Sequence, residues 1–154
     1  QDMLTATRTF HVDGFGHGTH CAGTIGAIGG NDNGVTSLNP DPNKFSFFIA
    51  KGLRDGGSGT GSGVLQAVEK CVDEGAKIIS MSLGGGGFST TTNETFSGYY
   101  EEEGVLLIAA AGNDGNSAYN YPASYGSVMS VAAVDSNKVK ASFSQFNDQV
   151  EIAA

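Results

Sequence analysis

Short, continuously apolar runs alternate with helix-like stretches along this sequence. The predicted strands are residues 45–50, 77–83, 105–111 and 128–134. The predicted helices are residues 62–72, which place their apolar side chains on one face and end before Gly75, and residues 93–103, which end at Gly104. Continuously apolar strands that alternate with helices indicate a parallel sheet covered on both faces. We therefore predict an α/β fold with three layers, a central and mainly parallel sheet with helices on both faces.

Composition narrows the class of protein. The chain has 154 residues, enough for one domain with its own core, and only 16% of them are charged, which is unlike a disordered chain. Eight basic residues stand against 16 acidic ones, a net charge of -8, and no basic cluster exists to neutralise a phosphate backbone. The longest apolar run is far shorter than the roughly 18 residues of a membrane span. We expect neither nucleic-acid nor membrane binding.

The two cysteines, Cys21 and Cys71, leave two alternatives open. They could form one disulfide, or remain two buried thiols. We favour the thiols because both lie in helix-like apolar surroundings, where cysteine behaves as a small hydrophobic residue. Neither end of the chain shows a leader or a polar tail, so we expect a segment of a longer domain.

Glycine-rich segments follow two of the predicted strands. They are residues 82–87 and 112–115, and the carboxyl ends of parallel strands are where such sheets bind ligands. Glycine leaves the backbone bare, which suits pairing with an extended peptide. Tight loops without a binding role are the alternative interpretation.

The segment 13–24 carries the most chemical information. From His17 to about Ala27 the side chains are mostly small. Such a helix is stable only when packed closely, so we predict a buried helix with His17 in its first turn. The positive end of a helix dipole disfavours imidazolium, which leaves a neutral ring suited to general-base catalysis. A structural histidine is one alternative. A metal site from Asp13, His17 and His20 is disfavoured, because the H-E-x-x-H pattern is absent and no other His/Cys cluster completes it.

Residues 16–24 resemble the histidine motif of the subtilisin-like (subtilase) serine proteases, and Cys21 is like the cysteine of the proteinase K branch. Further segments resemble that family in the family's own order: 57–59, 80–85, 109–115, 121–125, 131–135 and 141–144. The resemblance spans roughly residues 11 to 154. It implies that residues 1–154 are part of one subtilisin-like catalytic domain, truncated at both ends.

The resemblance also implies roles for individual residues. His17 is expected to be the catalytic base and Asn113 the side-chain donor of the oxyanion hole, both acting on one scissile carbonyl. His20 is expected to be structural, and Asp13 to brace its loop. The expected substrate-binding residues are Gly57, Ser58, Gly59, Ser82, Leu83, Gly84 and Gly112.

Two of the family's motifs are absent from these residues. No Asp-Ser/Thr-Gly strand precedes His17, and no Gly-Thr-Ser follows Asn113. A histidine without a serine to activate cannot carry out covalent acyl transfer. We therefore expect a serine endopeptidase in the full-length parent and an inactive segment here. The alternatives are a non-catalytic, peptide-binding pseudo-protease and a flavodoxin-type small-molecule-binding domain.

The expected partners are extended peptide or protein substrates, with the protein acting as a monomer. The chemistry needs no cofactor and no catalytic metal. The resemblance implies that a structural calcium ion can bind, because members of the family often bind calcium in loops. The loop at Asn31, Asp32 and Asn33 is the richest in oxygen ligands. A solvated turn explains this loop equally well. A glycosylation sequon at Asn93 and the family's habits predict a secreted or vacuolar protein.

Overall fold

The computed structural model describes residues 11–154, which fall into two compact units with the boundary between Glu74 and Gly75. The first unit contains helices α1 (His17–Gly26) and α2 (Gly61–Asp73). The second contains β1 (Ile78–Met81), α3 (Thr90–Glu101), β2 (Leu106–Ala110), β3 (Val128–Ala132) and β4 (Val150–Ala153). No helix among the described residues is long and apolar enough to cross a membrane.

Helix α2 confirms the predicted amphipathic helix. Thr60 caps it, because its hydroxyl oxygen accepts the backbone N–H of Gly63 at 3.1 Å. Val68 and Cys71 lie on its buried face, as the spacing of the apolar residues predicted. Both cysteines are free, and burial raises the pKa of the Cys71 thiol.

Helix α1 begins at His17, as predicted, after Gly16 in a left-handed conformation with φ of 85°. No residue of α1 is buried, so the prediction of a buried helix is wrong for the described chain. The neighbouring segment explains part of this difference. Phe45 and Phe47 stack edge to face and pack against Gly26 at the end of α1, where any added Cβ would overlap their rings.

The prediction of a buried strand over residues 45–50 is also wrong. This segment forms no regular strand, and Phe47 and Ile49 are 44% and 51% exposed. An aromatic run resembles a strand in sequence, but here its rings pack against the end of a helix. Local apolar character therefore did not distinguish sheet pairing from ring packing.

The second unit contains a four-stranded sheet in the order β1-β2-β3-β4, in which every neighbouring pair is parallel. Three of its strands confirm the predictions with shorter bounds. The fourth, β4, was not predicted, and it pairs with β3 through an irregular register between Ser130 and Val131. The α/β class with a parallel sheet is confirmed.

One face of this sheet forms the core of the unit. Phe96 of α3 is fully buried, and its ring meets that of Tyr125 edge to face with centroids 5.8 Å apart. The buried strand residues on this face are Ile79, Met81, Leu107, Ala109, Val128, Ser130 and Ala132. On the opposite face Ile78 is 66% exposed and Ile108 is half-buried. Within this unit, helix packing on the sheet is thus observed on one face.

Candidate functional site

Asp13 organises the loop that leads into α1. One of its carboxylate oxygens accepts the N–H groups of Phe15 and Gly16 at 3.3 and 2.8 Å, and the other accepts the N–H and hydroxyl of Thr19 at 2.8 and 2.7 Å. These bonds, led by the one from the Thr19 hydroxyl, lower the pKa of Asp13 to about 2. Asp13 braces its loop, as predicted.

His17 is the first residue of α1 and its side chain is exposed. Its Nε2 lies 3.7 Å from Sγ of Cys21, one turn further along the helix. His20 takes part in the helix through its backbone, which donates to the Gly16 carbonyl at 3.0 Å and accepts the Thr24 hydroxyl at 3.1 Å. No group of three or more His, Cys, Asp or Glu among residues 11–154 could hold a metal ion.

A second brace of this loop was not predicted from the sequence. Lys51 donates to the carbonyl of Val12 at 3.0 Å and pairs with Asp55, and Asp55 also accepts the N–H of Gly14 at 3.4 Å. The hydrogen bond from Lys51 lowers the pKa of Asp55. The only sequence signal was a lysine four residues before an aspartate, a spacing common on protein surfaces.

The predicted substrate-binding residues 57–59 lie beside the same loop. Arg54 and Ser58 close a tight turn, with the N–H of Arg54 donating to the Ser58 carbonyl at 2.9 Å. Gly57 has φ of 77° and sits under the ring of Phe15, where an added Cβ would lie 2.8 Å from the ring. The first unit therefore brings Gly57 next to Phe15, two residues before His17.

Asn113 lies beyond the carboxyl end of β2, after Gly112 with φ of 121°. The Asn113 side chain is exposed, and its carboxamide has no hydrogen-bond partner in the part of the chain that is described. The backbone around it is held on both sides. Gln145 donates its N–H to the Gly112 carbonyl at 3.1 Å, and Gly115 donates to the Phe143 carbonyl at 2.7 Å.

A buried carboxamide links this loop to the segment that follows β1. Asn120 is 9% exposed, its oxygen accepts the N–H of Gly85 at 2.6 Å, and its nitrogen donates to the Ala111 carbonyl at 3.2 Å. Gly84 lies against the same carboxamide, where any added Cβ would overlap it. The expected binding residues Ser82, Leu83, Gly84 and Gly112 thus lie with Asn113 at the carboxyl ends of neighbouring parallel strands.

Residues 5–154 match the subtilase family, Peptidase_S8. The chain belongs to the subtilase family. It is 40% identical to thermitase from Thermoactinomyces vulgaris over 142 residues, which are 92% of this subtilase chain and 50% of thermitase. It is 44% identical to a halolysin-like extracellular serine protease of Natrialba magadii, covering 92% of this chain and 25% of that protein.

The solved structures agree with the family assignment. The psychrophilic subtilisin-like protease Apa1 of Pseudoalteromonas sp. AS-11 superposes on 87% of this subtilase chain and 30% of its own, with a TM-score of 0.80 and 51% identity. A cold-adapted subtilisin-like serine proteinase superposes on 68% of this chain and 39% of its own, with a TM-score of 0.62 and 32% identity. The chain spans half or less of the length of these relatives.

Two polar residues of this subtilase chain were not found from its sequence. Asn120 precedes Tyr121-Pro122, and nothing local distinguishes it from a loop asparagine. Gln145 is 1% exposed; its nitrogen donates to the Ala118 carbonyl at 2.7 Å, while its oxygen lies against Gly112 without a partner in the described chain. Burial alone identifies both residues, and the sequence pattern does not show it.

The proposed calcium loop forms an ordinary polar turn. Asn31 accepts the N–H of Asn33 at 3.2 Å, and Asp32 has φ of 54°. Both features are typical of a turn closed by an Asn side chain. Structural calcium at Asn31, Asp32 and Asn33 stays a prediction, and so do the catalytic roles of His17 and Asn113.

Proposed function

We propose that this chain supplies the general base and one oxyanion donor of a subtilisin-like serine endopeptidase. The observation that carries the proposal is the Asn113 loop, which presents an exposed carboxamide, without a hydrogen-bond partner among residues 11–154, on a backbone fixed by Gln145 and Phe143. A preorganised donor of this kind stabilises negative charge without rearranging during the reaction. The nucleophilic serine and the orienting aspartate come from residues outside these 154.

His17 acts as the base of the reaction. It takes the proton from the serine hydroxyl as the oxygen attacks the peptide carbonyl, and returns the proton to the leaving amine. The Asn113 N–H groups bind the oxygen that becomes negative in the tetrahedral intermediate. His17 and Asn113 thereby act on one scissile carbonyl.

The substrate is an extended peptide or protein segment. The backbone of residues 82–84 follows β1 and carries no bulky side chain at Gly84, so it suits main-chain hydrogen bonds with a peptide strand. Residues 57–59 supply the other binding segment. Family membership supports this peptide-binding role and argues against the flavodoxin-type alternative, because no dinucleotide-type glycine loop follows a first strand.

The experiment compares His17→Ala and Asn113→Ala in the full-length protein, with hydrolysis of a chromogenic peptide as the readout. We expect kcat to fall about 10⁶-fold for His17→Ala. For Asn113→Ala we expect a fall of about 10²–10³-fold with little change in KM. Both magnitudes are those known for subtilisin itself rather than derived from this chain.

Two matched variants serve as controls. His20→Ala removes a histidine one turn from His17, and Asn116→Ala removes an exposed carboxamide three residues from Asn113; both should retain near wild-type kcat. The 154-residue chain alone should hydrolyse nothing, because it contains no Gly-Thr-Ser. Wild-type protein that binds the peptide without cleaving it would instead establish the pseudo-protease alternative.

The remaining properties follow from the same proposal. The protein is secreted, in keeping with the relative that is named extracellular, and a vacuolar location is the alternative. It acts as a monomer on peptides, without nucleic-acid or membrane partners. Calcium at residues 31–33 would add stability only, and calorimetric titration of the full-length protein with Ca²⁺ and of its Asp32→Ala variant tests this.

A further inference from the structure

The hydrogen bonds between β1 and β2 stop before the proposed substrate and oxyanion segments begin. The last paired residues of these strands are Met81 and Ala109. Beyond them the chain continues into residues 82–85 on one side and 111–113 on the other. These two backbones must nevertheless keep a fixed separation, because one would hold the peptide and the other the donor that acts on its carbonyl.

The carboxamide of Asn120 spans these two segments. It accepts the Gly85 N–H at 2.6 Å and donates to the Ala111 carbonyl at 3.2 Å, so one rigid planar group is bonded to both. Only a carboxamide of this length offers an acceptor and a donor in such an arrangement. The alanine side chain has neither group, and a carboxylate keeps only the acceptor.

Asn120 is itself held in place. Its backbone N–H donates to the Ser124 hydroxyl at 3.0 Å, and its carbonyl accepts the Ser124 N–H at 2.9 Å. The side chain is nine-tenths buried, so water does not compete strongly for its bonds. Gly84 leaves the space that the carboxamide occupies.

We propose that Asn120 is a positioning residue, which sets the location of the Asn113 donor relative to the substrate-binding segment by bridging Gly85 and Ala111. The proposal rests on the function proposed above for Asn113. Asn120 does not itself touch the reacting atoms. It acts through the backbone of Ala111, two residues before the donor.

The test is a double-mutant cycle between Asn120→Asp and Asn113→Ala in the full-length enzyme. Asn120→Asp is nearly isosteric, keeps the acceptor for Gly85 and replaces the donor to Ala111 with a second acceptor. We expect kcat to fall about 10- to 100-fold, the scale of an ångström-sized misplacement, with KM changed by less than about threefold. In the Asn113→Ala background the same substitution should cost less than about threefold, because the donor it positions is already absent.

Controls separate this role from a merely structural one. Asn120→Ala should repeat the kcat loss, and Asn116→Ala should not, since among the described residues the Asn116 carboxamide bonds only to Ala118 in its own turn. Circular dichroism of each variant checks folding.

Three outcomes would each overturn the proposal: loss of the fold in Asn120→Asp, an equal kcat loss in both backgrounds, or a rise in KM with unchanged kcat. An Asn113→Ala enzyme with full activity would overturn the proposed function and this inference with it, whereas an active site that needs Asn113 but not Asn120 would overturn this inference alone.

Discussion

The loop before His17 and the loop that carries Asn113 are braced by opposite kinds of chemistry. Around His17 the braces are charged and near the surface: the carboxylates of Asp13 and Asp55, and the ammonium group of Lys51. Around Asn113 they are neutral and belong to two residues that are nine-tenths or more buried, Asn120 and Gln145. The Asn120 carboxamide donates to the Ala111 carbonyl, whereas Gln145 donates its backbone N–H to the Gly112 carbonyl and its carboxamide N–H to the Ala118 carbonyl. Each unit thus fixes one proposed catalytic side chain by a different means.

This difference predicts how each loop responds to change. Hydrogen bonds and ion pairs between exposed charged groups weaken with salt and depend on the protonation of the carboxylates. Buried carboxamides are insensitive to salt, but each needs its space and its partner, because a displaced polar group without a hydrogen bond is costly. We expect the His17 loop to be sensitive to solution conditions and the Asn113 loop to be sensitive to packing.

The largest effect on stability is expected from Gly112→Ala. The new Cβ would overlap the buried Gln145 carboxamide, and φ of 121° is strained for any residue with a side chain. Overpacking and backbone strain each cost about 1–3 kcal/mol, so we expect the free energy of unfolding to fall by about 2–6 kcal/mol. Urea denaturation of the full-length protein measures it.

Gly85→Ala is the matched control for that substitution. Gly85 has φ of 106°, but nothing lies within 4 Å of an added Cβ, so only the backbone strain of about 1–3 kcal/mol applies. If the two variants lost equal stability, packing against Gln145 would contribute nothing, and the contrast between the two loops would fail on its buried side.

The same contrast explains how much the sequence could predict. α2 and the strands β1 to β3 follow from local patterns, since apolar spacing and the Thr60 cap act within a few residues. The strand β4 was not predicted because Val150–Ala153 is short and contains a charged residue. Asp13 could be recognised because its partners lie within six residues, whereas Asn120 bonds Gly85 across 35 positions, a relation that only folding creates.

A smaller effect is expected from Asp13→Asn, and it depends on pH. The pKa of Asp13 falls from 3.8 in an unfolded chain to about 2 in the folded protein, so the carboxylate stabilises the fold fully above pH 3.8. That stabilisation is lost as the pH falls from 3.8 towards 2. The melting temperature of the full-length wild-type protein should therefore exceed that of the variant at pH 5, and the difference should shrink towards pH 2.

Asp73→Asn tests whether this pH dependence belongs to the brace. Asp73 is an exposed carboxylate at the end of α2 that accepts no side-chain hydrogen bond among residues 11–154. Its variant should follow the wild-type melting curve across the same range. A constant difference between wild-type protein and Asp13→Asn from pH 5 to pH 2 would contradict the assignment of the brace to the ionised carboxylate.

The smallest effect is expected from Asp55→Asn. It weakens the link from Lys51 and Gly14 to the loop before His17, but Asp55 is 59% exposed and such pairs contribute little to stability. We expect a slight loss of kcat/KM at low ionic strength that disappears near 1 M salt, where the screening length is about 3 Å.

Glu74→Gln is the control. It breaks the Lys70–Glu74 pair, which has the same spacing but does not touch the loop before His17, and it should leave kcat/KM unchanged at every salt concentration. An equal response of both variants would mean that the charged brace does not act on His17, and the neutral clamp around Asn113 would then be the stronger candidate for control of the reaction geometry.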